Sequence, residues 1–189
     1  MRFHLLSLLL LGLFMNAVSA ADPIHVRLKT TMGAIDLELD AGKAPESTAN
    51  FVQYVKDGHY DGLVFHRVIR GFMIQGGGYD VKSQQRSTRA PISNEAKNGL
   101  KNRRGTIAMA RTGDPHSASS QFFINHADND FLDYPGQDGW GYAVFGKVTA
   151  GMDVVDAIAT SPTGNLPPFG RDVPTKPVVI EKAEVVSGE

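Results

Sequence analysis

Period-two alternation of apolar and polar residues, cut into short runs by glycine and proline, constrains this chain more than any other feature. From Ile24 to Thr30, Ile24, Val26 and Leu28 alternate with His25, Arg27 and Lys29, as in a strand with one buried face. Thr31-Met32-Gly33 reads as a turn, and Ala34 to Leu39 alternates again with Ile35, Leu37 and Leu39 on one side. Further strand-like runs cover Leu63 to Ile69, Phe72 to Ile74, Ile92 to Glu95, Gly105 to Ala110, Gln121 to Asn125, Ala143 to Val148 and Val178 to Val186. Only two stretches read as helix. Pro45 opens the first, where its missing N–H is harmless; Phe51, Val52 and Val55 form its apolar stripe, and Gly58 ends it. The second, Gly151 to Ala159, buries Met152, Val155 and Ile158. Many short strands with two isolated helices predict a mainly β fold, in which a closed or nearly closed antiparallel sheet has helices over its openings. Tyr79 to Pro91 is expected to be a long exposed loop, and Asn165 to Pro177 a proline-rich connection.

The first twenty residues read as a secretory signal peptide. Arg2 precedes an apolar run from Leu5 to Val18, and Val18-Ser19-Ala20 offers the small residues a signal peptidase reads, so cleavage is expected before Ala21. The run, about 14 residues, is short for a membrane span. Residues 21–189 then form one domain, with a core large enough for independent folding. That domain keeps 18 of the 19 basic residues against 20 acidic ones. No block of one sign stands out, so nucleic acid and stable membrane association are not expected. No heptad or long apolar stripe argues for assembly, and a monomer is expected. Cysteine is absent, which excludes disulfides, thiol catalysis and cysteine metal sites.

The stretch from Phe65 to Gly78, Phe-His-Arg-Val-Ile-Arg-Gly-Phe-Met-Ile-Gln-Gly-Gly-Gly, gathers one long cation, one amide and several large apolar side chains. Strand alternation would put Phe65, Arg67 and Ile69 on one face and His66 and Val68 on the other. After the turn at Gly71, Met73 and Gln75 would share a face opposite Phe72 and Ile74. The three glycines let the backbone turn sharply or pass close to another group. This stretch resembles the signature of the cyclophilins, the cyclophilin-type peptidyl-prolyl isomerases. Gly105-Thr106-Ile107-Ala108-Met109-Ala110-Arg111, Ser119-Ser120-Gln121-Phe122-Phe123-Ile124 and Val144-Phe145-Gly146-Lys147-Val148 resemble three further blocks of that family, in its order. The resemblance covers Ile24 to Val186.

The resemblance implies an eight-stranded antiparallel β-barrel, closed, capped by two α-helices, with its site on the outer wall. It implies catalysis of X–Pro bond rotation without cofactor or metal, on proline-containing unfolded or folding polypeptides. In the family, the position of Arg67 donates to the prolyl nitrogen as the amide twists. Phe72, Met73, Phe123 and Leu132 would grip the ring, with Phe131 beside them. Gln75 would bond the substrate backbone, Gln121 would support that arrangement, and Ala110 and Arg111 would lie along the peptide groove through backbone contacts. Three departures stand out. Phe131 occupies a position where many eukaryotic relatives carry tryptophan, which implies weak cyclosporin binding. Tyr142 aligns with a histidine, and Arg111 with an asparagine. With the leader, these traits resemble the exported bacterial branch, and a periplasmic location is expected.

Rival chemistry finds less support in the residues. Asp114, His116 and Ser119 lack the strained Gly-x-Ser-x-Gly elbow of a hydrolase. The six histidines show no metal-binding spacing, and Gly76-Gly77-Gly78 opens no phosphate loop. A non-catalytic proline-peptide binding module, or a holdase chaperone, on the same fold is the serious alternative. Arg67 separates the two, because a binding module has no need of it.

Overall fold

A computed structural model describes residues 23–186; the expected leader and its cleavage point lie outside the described residues. The chain opens with the hairpin that alternation predicts. Strands β1 (Ile24–Thr30) and β2 (Gly33–Leu39) pair antiparallel with Val26 opposite Leu37 and Leu28 opposite Ile35, and all four side chains are buried. On the other face Arg27 grips Asp36 across the ladder through two bonds of 2.7 and 2.8 Å. Helix α1 (Pro45–Lys56) follows, with Pro45 in its first turn. No local side chain caps it. Instead Glu95, distant in sequence, accepts the N–H groups of Glu46 (3.0 Å) and Ser47 (2.7 Å) with its carboxylate, a negative charge at the positive end of the helix dipole. Phe51 points from α1 into the core and meets the rings of Tyr60, Phe122 and Phe145 at 5.1 to 5.4 Å.

The remaining elements are β3 (Arg67–Ile69), β4 (Met73–Gly76), β5 (Thr106–Met109), β6 (Phe122–Asn125), β7 (Val144–Ala150), α2 (Met152–Ala159), β8 (Thr163–Leu166), β9 (Gly170–Pro174) and β10 (Ile180–Val186). Eight strands form one antiparallel sheet in the order β10-β1-β2-β7-β5-β6-β4-β3, and β8 and β9 form a separate hairpin. The sheet curls around one core, against which both helices pack. Strand number and direction agree with the expectation, but the sheet is a curled half-barrel. The ladder is open between its edge strands β3 and β10, which approach only through the irregular segment before β3, where Val64 bridges Val179.

Three local expectations differ from the structure. The run Leu63 to Ile69 is strand only at its end. Phe65 donates its N–H to the Val178 carbonyl at 3.0 Å and turns its ring into the core, away from Arg67. Alternation fails there because it holds only while a ladder is continuous. Ile92 to Glu95 forms a single bridge, Ile92 to Ala118, rather than a strand, since Glu95 is drawn to the end of α1. The supposed connection Asn165 to Pro177 contains the β8–β9 hairpin.

The sheet matters for function because it is apolar on both faces at one place. In β6, Phe122 and Ile124 enter the main core, while Phe123 joins Met73, Ala108, Ala110, Leu132 and Val144 in a second cluster on the outside.

Candidate active site

Arg67 stands directly opposite Gln75 in the β3–β4 ladder, and Gln75 is opposite Phe123 in the β4–β6 ladder. Cation, amide and aromatic ring are therefore set side by side across three strands. Met73, two residues from Gln75, shares its face as alternation requires and is buried in the outer cluster. Phe72 does not follow the alternation. It lies in the turn before β4, where its N–H bonds the Ile69 carbonyl at 3.0 Å, and its ring packs on the outer cluster beside Met73.

Arg67, Phe72, Met73, Gln75, Ala110, Arg111, Phe123, Leu132 and Tyr142 surround one pocket of about 110 Å³. Its floor is Met73, Phe123 and Leu132, all buried. Arg67 is exposed at the rim, its guanidinium 6.0 Å from the centroid of Phe72. Its side-chain hydrogen bond among the described residues is a long one, 3.5 Å to Gln75 Oε1, so its donors remain available. Gln121 sits behind the pocket and accepts from Gln75 Nε2 at 3.1 Å, which leaves Gln75 Oε1 facing Arg67. Gln121 can approach because Gly78 has no side chain: a Cβ there would stand 2.7 Å from Gln121 Cγ. Phe131 lies outside the pocket lining. Half exposed on the rim, it stacks on Phe72 with centroids 5.7 Å apart.

Beside the backbone contact expected of it, Arg111 has a role for its side chain. Its side chain is 3 % exposed and ion-pairs with Asp138. It also donates to the Gly141 carbonyl from Nε and Nη2, at 3.2 and 3.0 Å, and covers the Tyr142 ring at 4.4 Å. The guanidinium thereby fastens the loop that presents Tyr142 to the pocket, where Tyr142 meets the edge of Phe123. The same ion pair, helped by the N–H groups of Gly141 and Trp140, holds the Asp138 carboxyl well below the usual carboxylate range.

A family model that spans residues 25–185 decides the family. The chain belongs to the cyclophilin-type peptidyl-prolyl cis-trans isomerases. The family model described as "Cyclophilin type peptidyl-prolyl cis-trans isomerase/CLD" matches residues 25–185. "Peptidyl-prolyl cis-trans isomerase A" of Dickeya dadantii is 53% identical over 180 residues, 95% of this chain and 94% of that one. "Peptidyl-prolyl cis-trans isomerase cyp18" of Streptomyces antibioticus is 57% identical over 163 residues, 85% of this chain and 98% of that one. Among solved structures, a Cryptosporidium parvum cyclophilin-type isomerase in the presence of the dipeptide Ala-Pro superposes with a TM-score of 0.72 at 26% identity, covering 87% of this chain and 99% of that one.

Behind this cyclophilin pocket lies a polar network that sequence reasoning missed. Asn102, Asn125, Asn129 and Asp133 are all buried. Asn129 Nδ2 donates to Asn125 Oδ1 (2.7 Å) and to the Phe72 carbonyl (2.9 Å). Asn102 donates its N–H to Asp133 Oδ1 (2.7 Å) and its Nδ2 to the Tyr142 carbonyl (3.3 Å). Phe72 and Tyr142 are thus held from behind by amides that looked like ordinary loop residues. Asparagines spaced along a loop-rich stretch carry no periodic signal, so only their burial identifies them. The rival acid–histidine–serine reading finds no geometry: Asp114 accepts from the His116 backbone N–H, while the imidazole Nδ1 accepts from Asn94. Among the described residues no three His, Asp or Glu side chains are grouped to hold a metal ion.

Proposed function

We propose that this cyclophilin accelerates cis–trans rotation of X–Pro bonds in exported polypeptides during their folding, by a non-covalent mechanism centred on Arg67. Amide resonance sets a rotational barrier of about 18–20 kcal/mol, while the isomers differ by only about 0.5–1 kcal/mol. A catalyst needs to bind the twisted amide better than the planar one, and needs no energy source. On twisting, the prolyl nitrogen becomes pyramidal and its lone pair can accept a hydrogen bond. A guanidinium, always charged and rigid, is a fitting donor. The observation that carries this reading is an exposed Arg67, whose side-chain hydrogen bond among the described residues is the long one to Gln75, at the lip of an apolar pocket with a Met73, Phe123 and Leu132 floor.

In this reading the pocket takes the pyrrolidine ring, Gln75 bonds the substrate backbone, and Gln121 fixes the Gln75 amide so that its oxygen steers Arg67. The groove beside Ala110 and Arg111 takes the flanking peptide. The bond to nitrogen forms only in the transition state, so it raises the rate rather than the affinity. The open edges of the eight-stranded sheet are fastened where the segment before β3 meets Val179 and Ile180. The domain works as a monomer in the periplasm.

Exchange NMR on a proline-containing tetrapeptide tests the mechanism. Arg67→Ala is expected to lose about a hundredfold in kcat/KM while still binding the peptide. A wild type that binds peptide but leaves exchange unchanged would instead make the pocket the recognition site of a binding module or holdase.

A further inference from the structure

The turn that carries Phe72 is tied to α2 through His126. The Gly71 N–H donates to His126 Nδ1 at 2.9 Å, and the His126 backbone N–H donates to the Phe72 carbonyl, also at 2.9 Å. The turn is therefore held by one residue at points on both sides of the Phe72 side chain. The other edge of the imidazole faces α2, with Nε2 3.2 Å from Asp156 Oδ1. Asp156 is itself fixed by Arg104, which reaches both carboxylate oxygens at 2.8 Å and donates to the His126 carbonyl at 2.9 Å. His126 lines no part of the proline pocket.

This arrangement prescribes a protonation state. A backbone N–H can only donate, so Nδ1 must carry a lone pair, and the ring proton belongs on Nε2, the edge that lies 3.2 Å from Asp156 Oδ1. Adding a proton to Nδ1 would set two N–H groups against each other and break the bond to Gly71. We propose that His126 is a positioning residue that fixes Phe72 over the proline pocket in its neutral form and releases the turn when protonated, which makes isomerisation pH-dependent. The proposal rests on the isomerase reading of that pocket. The charged groups around the imidazole come from three elements. Asp156 approaches from α2. Arg104 lies before β5 and takes Asp128 with its backbone N–H, a carboxylate that Arg103 also reaches at 3.5 Å. Arg70, exposed, precedes Gly71 in the turn itself. Asp156 already has a cationic partner in Arg104, which reaches both of its carboxylate oxygens, so an imidazolium is not its sole counter-charge.

Kinetics and NMR on three proteins, followed over a pH series from about 5 to 8, test this. Wild-type kcat/KM is expected to fall about three- to tenfold at the acid end, the equivalent of one lost hydrogen bond, and the Gly71 amide resonance should move with the same midpoint. His126→Asn offers Gly71 an acceptor that does not titrate, so it should keep the rate at high pH and lose the acid step. His126→Val offers none and should be slow at every pH. A flat wild-type profile, or an acid step that survives in a folded His126→Asn protein, overturns the proposal. A wild type with no isomerase activity overturns the isomerase reading instead. The Gly71 amide then still decides the clamp: a titration absent from His126→Asn supports it, and a shift identical in both proteins defeats it.

Discussion

Phe131 shows how much one side chain on the rim can decide. Its ring extends the wall begun by Phe72, and half of it faces solvent. An indole in its place would fill the same area and add an N–H donor. Where family members carry that tryptophan it bonds cyclosporin, so the drug is expected to bind this protein weakly. Phe131→Trp should tighten inhibition about tenfold, the worth of one hydrogen bond. Nanomolar inhibition of the wild type would show that the missing donor does not matter. The four pocket residues Arg67, Phe72, Met73 and Gln75 were legible in the sequence because they lie within nine consecutive positions of one recognisable block. The side chains behind them were not. His126, Asn129 and Asn102 act on Phe72 and Tyr142 through backbone atoms, and a backbone atom leaves no trace in residue identity.

At the scale of elements, the β8–β9 hairpin contributes what its sequence does not announce. Thr163–Leu166 and Gly170–Pro174 have almost no apolar alternation, and only Val173 and Pro174 are buried. The pair exists because Gly164 meets Val173 and Leu166 meets Gly170 across the ladder. From the connection between the two strands, Phe169 packs on His66 at 5.1 Å and on Tyr79 at 4.6 Å. His66, the residue before Arg67, is 5 % exposed as a result. Burial is the main cause that pushes its pKa from 6.5 down to about 4, and the neighbouring charge of Arg67 acts in the same direction. The unfolded chain therefore takes up a proton near pH 6.5 that the folded chain refuses until about pH 4. The contribution to stability is complete above the unfolded value and is lost as pH falls toward the folded one, about 3 kcal/mol in all. Urea unfolding at pH 7 and pH 5 should show the wild type losing about 2 kcal/mol more than His66→Leu. Equal losses in the two proteins would mean that His66 is not held neutral under the hairpin.

For the whole molecule, the absence of cysteine means that folding rests on burial alone. That burial is concentrated in one core inside the curled sheet and a smaller one outside it. Among the described residues no helix is long and apolar enough to cross a membrane. The leader reading makes a definite prediction about the molecule that reaches the far side of the membrane. Its intact mass should correspond to a chain starting at Ala21. A mass that retains residues 1–20 would make the segment an uncleaved anchor instead of a signal peptide.

The strands with complete alternation, the two helices and the family were readable without coordinates, because each is written in local periodicity or in contiguous blocks. Tertiary structure alone decided that β7 lies between β2 and β5, that the ladder stays open between β3 and β10, and that Glu95 caps α1 from afar. It also turned Phe65 inward and Phe72 outward against the simple alternation. The physical reason is common to all of these. Each depends on which distant backbone donor or acceptor a segment finds, and a buried polar group must find one wherever the chain can supply it.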